Sequence, residues 1–485
     1  MKATAEVPNR REGDGLLPLA LYIRRPRGQN QRATLEMELL PSLCFLLLLV
    51  SAVAPLMENP MSTCASQIEA KNDMLSSSGG IHFPLYHRRR PCASASPLPD
   101  EPAYRDILRQ DEHRYTSLVL RLNNTATAAV VSVPLSHGTA LGVGNYVAVI
   151  HIGTPPKAHS VVVDTGSSLS WIQCLPCKAS CHRQVDPVFD PTASSTYHHV
   201  PCSSATCSAL SAATLNPFVC DRRGDCVYEA TYGDNSFSIG YLSRDTLSLS
   251  GGVAVPRFVF GCGQDNEGLF GESAGLIGLA KNSLSLLSQL SAAGYGRSFS
   301  YCLPTKSGSG YLAFGHYNAA GFTFTPMGKS SLDETLYFLR LTGIAVAGRR
   351  LSVSTAILLK TPTMIDSGTV ITRLPEEVYS ALSRAVVAAV GRKTPRAAAY
   401  SILDTCYKRR KEDLRVPEVD LMFDEGAVVR LPAGNVMLEV EKGTTCLAFS
   451  AASKFAIIGN WQQQTFRVVY DVGKMKLGFA AGGCR

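Results

Sequence analysis

The sequence predicts an all-β protein of two similar lobes, each holding one carboxylate on a tight turn. Three observations predict it. Forty glycines and 27 prolines among 485 residues, with only 18 % charged side chains, suit a loop-rich β chain better than a helical one. From Gly144 onward, short β-branched runs alternate with Gly, Pro, Ser and Asn, the texture of antiparallel strands joined by turns. Finally, Val163-Asp164-Thr165-Gly166-Ser167 recurs as Ile365-Asp366-Ser367-Gly368-Thr369, and each copy is followed downstream by Leu276-Ile277-Gly278 or Ile457-Ile458-Gly459. One such pentapeptide arises by chance. Two, each with its own downstream glycine, describe a repeated unit. An apolar content of 45 % excludes a disordered chain.

Residues 1–54 read as an N-terminal extension and signal peptide. The apolar stretch at 39–54 is densest over 43–54, short of the roughly 20 residues a spanning helix needs. Arg24, Arg25, Arg27 and Arg32 precede it, and Ala52-Val53-Ala54 offers a small-x-small cleavage site. Translation from Met37 would give a short ordinary signal peptide; the alternative is that the Arg-rich front is an organelle transit segment. Residues 55–140 read as a leader rich in Ser, Pro and Arg, basic at 87–90, with a helix-like patch at 104–122 and a glycosylation sequon at Asn123-Asn124-Thr125.

In the body, strands are expected at Tyr146–Ile152, 158–164, 246–249, 258–261, 337–346, Val428–Leu431 and 466–470. Helices are few. The best covers 375–390: Pro375 opens it, Glu376 and Glu377 sit at the positive end, Val378, Leu382, Val386 and Val390 form the apolar stripe, and Gly391 ends it. A shorter one is expected at 285–293.

The net charge of +8 is spread out: residues 141–485 carry 32 basic and 26 acidic side chains. Without a polybasic tail this argues against a nucleic-acid partner. Lys408-Arg409-Arg410-Lys411 runs into Glu412-Asp413 and reads as a solvated hairpin tip. His151, His182, His198 and His199 stand near no nucleophile motif and read as surface or loop residues.

Of 15 cysteines, Cys44, Cys64 and Cys92 lie in the signal and leader. The remaining even set is Cys174, Cys177, Cys181, Cys202, Cys207, Cys220, Cys226, Cys262, Cys302, Cys406, Cys446 and Cys484. An even, clustered set suits a disulfide framework in an oxidising compartment, of undetermined connectivity. Cys174, Cys177 and Cys181 have zinc-like spacing, but no second pair completes a tetrahedral set, so no metal is expected.

The doubled turn has a chemical logic. The aspartate ends a buried strand, the glycine allows a sharp turn, and small hydroxyl residues bond to the carboxylate or across to the other lobe. Two such turns meeting at a lobe interface would let two carboxyls share one proton, one apparent pKa falling and the other rising. The ionised member could deprotonate a water while the protonated one polarises a carbonyl.

On these motifs the sequence resembles the pepsin-like (A1) aspartic proteases, and among them the plant nepenthesin-type and chloroplast-nucleoid-protease-like group, over about residues 144–485. The resemblance implies the bilobal pepsin-like fold: two β-barrel-like lobes with the active-site cleft between them, an N-terminal lobe at 141–325 with a Cys-rich insert at 202–226, and a C-terminal lobe at 326–485. It makes Asp164 and Asp366 the catalytic pair. Ser167 and Thr369 become the hydroxyls beside them, Thr165 and Ser367 the cross-braces, and Gly166 and Gly368 the turn glycines. Glu229-Ala230-Thr231-Tyr232-Gly233-Asp234 resembles the flap, with Tyr232 and Gly233 over the substrate and Trp171 at the place of the family's flap-contacting tryptophan. By the same analogy the disulfides would be Cys174–Cys177, Cys181–Cys262, Cys202–Cys226, Cys207–Cys220, Cys302–Cys484 and Cys406–Cys446.

The resemblance therefore implies an aspartic endopeptidase acting on proteins or peptides, made as a zymogen and masked by its own basic pro-segment. It would be monomeric, need no cofactor, bind no nucleic acid and have no membrane span in its mature form. It would be secreted to the apoplast or vacuole, with the chloroplast as alternative. Other functions consistent with the fold are a catalytically weak inhibitor or binding homologue, and a chloroplast protease that binds DNA.

Overall fold

The computed structural model describes residues 81–87, 104–123 and 145–484, apart from 233–235, 250–252, 269, 306–308 and 331–332. The expected extension and signal peptide, Met37, Cys44, Cys64, Cys92, Gly233, and Asn124 and Thr125 of the sequon lie outside the described residues.

The β-branched runs form strands because each has a face to bury. In chain order the elements that build the site are β1 (Ile81–His87), α1 (Tyr104–Asn123), β2 (Tyr146–Ile152), β3 (Lys157–Asp164), β4 (Trp171–Gln173), β5 (Cys226–Thr231), β6 (Phe237–Ser248), β7 (Ala254–Glu267) and β8 (Gly275–Gly278). The second half supplies β9 (Ser298–Cys302), β10 (Gly310–Phe314), β11 (Thr363–Ile365), β12 (Thr372–Pro375), α2 (Glu376–Val390), β13 (Phe449–Ala452), β14 (Ala456–Ile458), β15 (Arg467–Asp471) and β16 (Lys476–Ala480). The expected strands and both expected helices are present, the shorter helix at Leu286–Ala292.

The repeat seen in the sequence is a repeat of topology. In the first half β3 runs parallel to β8, with Gly278 opposite Asp164; β8 is antiparallel to β4, and β4 is parallel to β7. In the second half β11 runs parallel to β14, with Ile458 opposite Ile365; β14 is antiparallel to β12, and β12 is parallel to β13. Each half thus threads its aspartate strand beside its apolar-apolar-Gly strand. The main sheet has fifteen strands, and within it β9 pairs with β15 and β15 with β16, so the C-terminal strands sit in the same sheet as the first lobe. β1 lies in this sheet between β10 and β2, burying Phe83 and Leu85.

Helix α1 forms because Ile107, Leu108, Asp111, Tyr115 and Leu118 repeat on one helical face, and all five are buried. Ile107 and Leu108 pack with Val370, Ile371 and Tyr400, while Tyr115 and Leu118 pack with Phe338, Met364 and Phe455. Among the described residues no helix is long and apolar enough to cross a membrane. The basic run is exposed at Lys408, Arg409 and Arg410, and Arg410 pairs with Glu412 at 3.1 Å. His182 departs from a plain surface residue: its ring packs against Phe270 and Trp171.

Among the described residues there are six disulfides, and four of them differ from the pairing the resemblance implied. Cys302–Cys484 and Cys406–Cys446 are as expected. Cys174 joins Cys262, not Cys177, because the parallel β4–β7 pairing sets Ile172 opposite Cys262 and leaves Cys174 5.3 Å from it between Cα atoms. Cys177 then closes on Cys181 around a short turn. In the insert, Cys202 joins Cys220 and Cys207 joins Cys226. Cys220 and Cys226 face each other across a hairpin. Cys202, Cys207 and Cys226 lie in the core, while Cys220 is exposed.

Candidate active site

Strand β3 ends in Asp164, and β11 leads directly into Asp366. In each turn the N–H of the glycine two residues on donates to its aspartate: Gly166 to Asp164 Oδ1 at 2.9 Å and Gly368 to Asp366 Oδ1 at 3.0 Å. The turns then lock together. Ser367 N–H donates to Thr165 Oγ1 at 2.9 Å, Thr165 N–H to Ser367 Oγ at 3.2 Å, and Ser367 Oγ–H to the Val163 carbonyl at 3.1 Å. This cross-brace between Thr165 and Ser367 draws the two turns into contact. Gly166 has no room for a side chain: a Cβ there would stand 2.6 Å from Arg114 Nη2 and 2.9 Å from Asp366 Oδ1.

Both carboxylates are buried, but their surroundings differ. Thr369 Oγ1 donates to Asp366 Oδ2 at 2.6 Å, whereas Ser167 Oγ has no hydrogen-bond partner among the described residues. Behind the turns, Asn460 Nδ2 donates to the Ser367 carbonyl and Gln463 Nε2 to the carbonyls of Asp366 and Ile458. These supports escaped the sequence reading; their signal was a polar run, Gln462-Gln463-Gln464, shortly after an apolar triplet and glycine.

A cation from α1 occupies the pair. Arg114, on α1, donates from Nη2 to Asp164 Oδ1 at 2.6 Å, from Nη1 to Asp164 Oδ2 at 3.3 Å and from Nε to Asp366 Oδ2 at 2.9 Å. One guanidinium therefore spans both carboxylates, the fork geometry that suits arginine. Burial raises the Asp164 carboxyl above its ordinary value, with Arg114 pulling the other way. Burial also pushes Asp366 upward, but Arg114, the Thr369 hydroxyl and the Gly368 N–H outweigh it and leave that carboxyl lowered. Burial thus prevails at Asp164, while the ion pair and hydrogen bonds prevail at Asp366, and the two carboxyls shift in opposite directions.

Tyr232 follows β5 at the tip of the β5–β6 hairpin, whose strands pair Thr231 with Phe237. Its hydroxyl accepts a hydrogen bond from Trp171 Nε1 at 2.7 Å, and its ring meets Phe270 edge-on at 5.5 Å. Tyr232, Trp171 and Phe270 so form one wall beside the aspartates. An open cleft runs past Asp164, Ser167, Tyr232, Leu276 and Val370, with α1 lying along it. Among the described residues no group of three or more His, Cys, Asp or Glu is arranged to hold a metal, and the zinc-like cysteines are in disulfides.

The arrangement has recognisable relatives. Residues 146–316 match the family model described as xylanase inhibitor N-terminal, and residues 336–481 the one described as xylanase inhibitor C-terminal. An aspartyl protease family protein of Arabidopsis thaliana is 39 % identical over 79 % of this chain and 83 % of its own. Aspartic proteinase nepenthesin-2 of Nepenthes gracilis is 36 % identical over 71 % of this chain and 78 % of its own. Among solved structures, basic 7S globulin from soybean superposes with a TM-score of 0.57 at 23 % identity, covering 70 % of this chain and 94 % of that one.

Proposed function

The chain belongs to the pepsin-like aspartic protease family, and on that premise we propose that it is an aspartic endopeptidase synthesised as a zymogen. The observation that carries the proposal is the cross-braced pair of turns, with two buried carboxylates near enough to be bridged by one guanidinium. With Arg114 withdrawn, like charges at that separation cannot both ionise cheaply, so the pair holds one proton between them and titrates as a unit. A water held by both oxygens is deprotonated by the ionised member as it attacks the peptide carbonyl. The protonated member donates to the carbonyl oxygen, and the proton taken from the water then serves the departing amine. Tyr232, held by the hydrogen bond from Trp171, closes over the bound peptide. No covalent intermediate is formed.

In this reading residues 1–54 are an extension and signal peptide, and 55–140 are the pro-segment, with Arg114 as the mask. Release in acid follows from Asp366. Its lowered carboxyl strengthens the docked state above the ordinary aspartate value of 3.8 and loses that contribution as pH falls through the lowered value. Arg114 pulls the Asp164 carboxyl down as well, against its burial, so withdrawal of the guanidinium is favoured as the pair takes up protons in acid. The precursor is stable near neutrality and shortens at about pH 3, seen as a mass loss that includes residues 104–123. The disulfides suit a secreted or vacuolar protein, which in this reading is a monomer needing no cofactor.

The matched family models carry an inhibitor's description, so a non-catalytic binding protein is the competing reading. Two intact Asp-hydroxyl-Gly turns favour the peptidase. The deciding experiment is cleavage of casein in acid after activation, with pepstatin as inhibitor. Activity that falls by about a thousandfold in Asp164→Asn and in Asp366→Asn supports the peptidase; undiminished cleavage in either variant refutes it.

A further inference from the structure

Arg373 is a buried cation whose charged partners all come from the leader. It lies on β12 opposite Ile457, the place that Trp171 holds opposite Leu276 in the first half, and each follows its aspartate at the same spacing. Trp171 serves the cleft through Tyr232. Its counterpart Arg373 has a side chain only 2 % exposed, with Nη2 2.9 Å from Asp111 Oδ2 and Nη1 2.5 Å from Glu112 Oε2. The Tyr115 ring covers the guanidinium at 5.1 Å. All three of these residues are on α1, and Arg373 Nε has no partner among the described residues. Asp111 does more than pair with the arginine: its carboxylate also accepts the N–H groups of Val370 and Ile371, just past the Asp366 turn.

A single carboxylate is therefore seated in a cradle of one guanidinium and two consecutive backbone N–H groups. Departure of α1 would empty that cradle and leave a sunken, uncompensated positive charge in the cleft, a costly state. Resting on the peptidase reading above, we propose that this cradle is a substrate subsite that takes the side-chain carboxylate of an aspartate or glutamate in the peptide to be cut. Asp111 and Glu112 occupy it in the precursor as stand-ins for that residue. Asp111 precedes Arg114 by three helical positions, about 4.5 Å along the axis. An extended peptide rises about 3.3 Å per residue, so the acidic residue lies one or two positions from the scissile bond.

The test uses the activated enzyme and pairs of peptides that differ only by Glu or Gln at each position near the cut. A charge-assisted contact of this kind should favour the Glu peptide by about tenfold or more in kcat/KM at one position. Arg373→Gln should bring that ratio close to one, and Arg373→Glu should favour Lys at the same position. Because Arg373→Gln leaves Asp111 unpaired in the precursor, it is also made together with Asp111→Asn, which restores a neutral pair for folding. A wild-type ratio near one at every position, or a wild-type ratio retained by the double variant, overturns the subsite and leaves the peptidase reading standing. If the activated wild type cuts none of the peptides and no casein, the peptidase reading falls and the subsite falls with it.

Discussion

Arg114→Gln is the perturbation whose consequence is worked most directly from the structure. The wild-type guanidinium makes three hydrogen bonds to the two carboxylates, at 2.6, 2.9 and 3.3 Å, and its Nε also faces Thr369 Oγ1 at 3.3 Å. The carboxylates are 1 % and 0 % exposed, and the arginine side chain is 19 % exposed. Removing one side of such a buried pair costs about 3–5 kcal/mol, most of it from the charges left behind. Here the two aspartates relieve themselves by sharing a proton, so the lower end applies, about 3 kcal/mol, or roughly a hundredfold in the docking equilibrium of α1. The apolar contacts of Ile107, Leu108, Tyr115 and Leu118 remain, so α1 stays mostly docked at neutral pH but opens far more often. Hydrogen exchange reads this residue by residue: amides of Tyr104–Asn123 should exchange roughly a hundredfold faster, while those of α2 are unchanged. The uncleaved variant should also hydrolyse a small peptide at a pH where the wild-type precursor does not. Unchanged exchange in α1, with a silent uncleaved variant, would refute the reasoning.

Three further outcomes rest on the same geometry. Thr369→Val removes a hydroxyl that donates to Asp366 at 2.6 Å; losing a bond to the charged form raises that carboxyl, so the acid limb of the kcat/KM profile should move up by about one pH unit, and precursor conversion should begin at correspondingly higher pH. Trp171→Phe keeps the edge-on contact with Phe270 but loses the Nε1 bond to Tyr232; a neutral hydrogen bond is worth about 1 kcal/mol, so KM for a peptide should rise by about fivefold with the fold intact by circular dichroism. Replacing both Cys302 and Cys484 by Ala frees the C-terminal end from β9; a lost native disulfide costs about 2–4 kcal/mol, seen as a lower midpoint in urea, and an unchanged midpoint would mean that the β15–β16 pairing alone anchors that end.

What the sequence by itself determined is local or periodic. The Asp-Thr-Gly and Asp-Ser-Gly turns need only a strand end, a glycine and a small hydroxyl, all adjacent in the chain, and so the positions of Asp164, Asp366, Thr165 and Ser367 were legible before any fold was known. The strands and α2 were legible for the same reason, since alternation and a 3.6-residue stripe are properties of neighbouring residues. The basic run at 87–90 and the helix-like patch at 104–122 were also visible. Which arginine reaches the pair was not, because only the docking of α1 brings Arg114 between carboxylates that lie far apart in the chain. Disulfide pairing failed on the same ground: cysteines pair by proximity in space, and the parallel register of β4 with β7 brings Cys174 to Cys262. Arg373 reads in the sequence as an arginine within a strand. Its burial, its counterpart Trp171 and its three partners on α1 are facts of tertiary packing, because a buried charge is settled by groups folded against it rather than by those beside it in the chain.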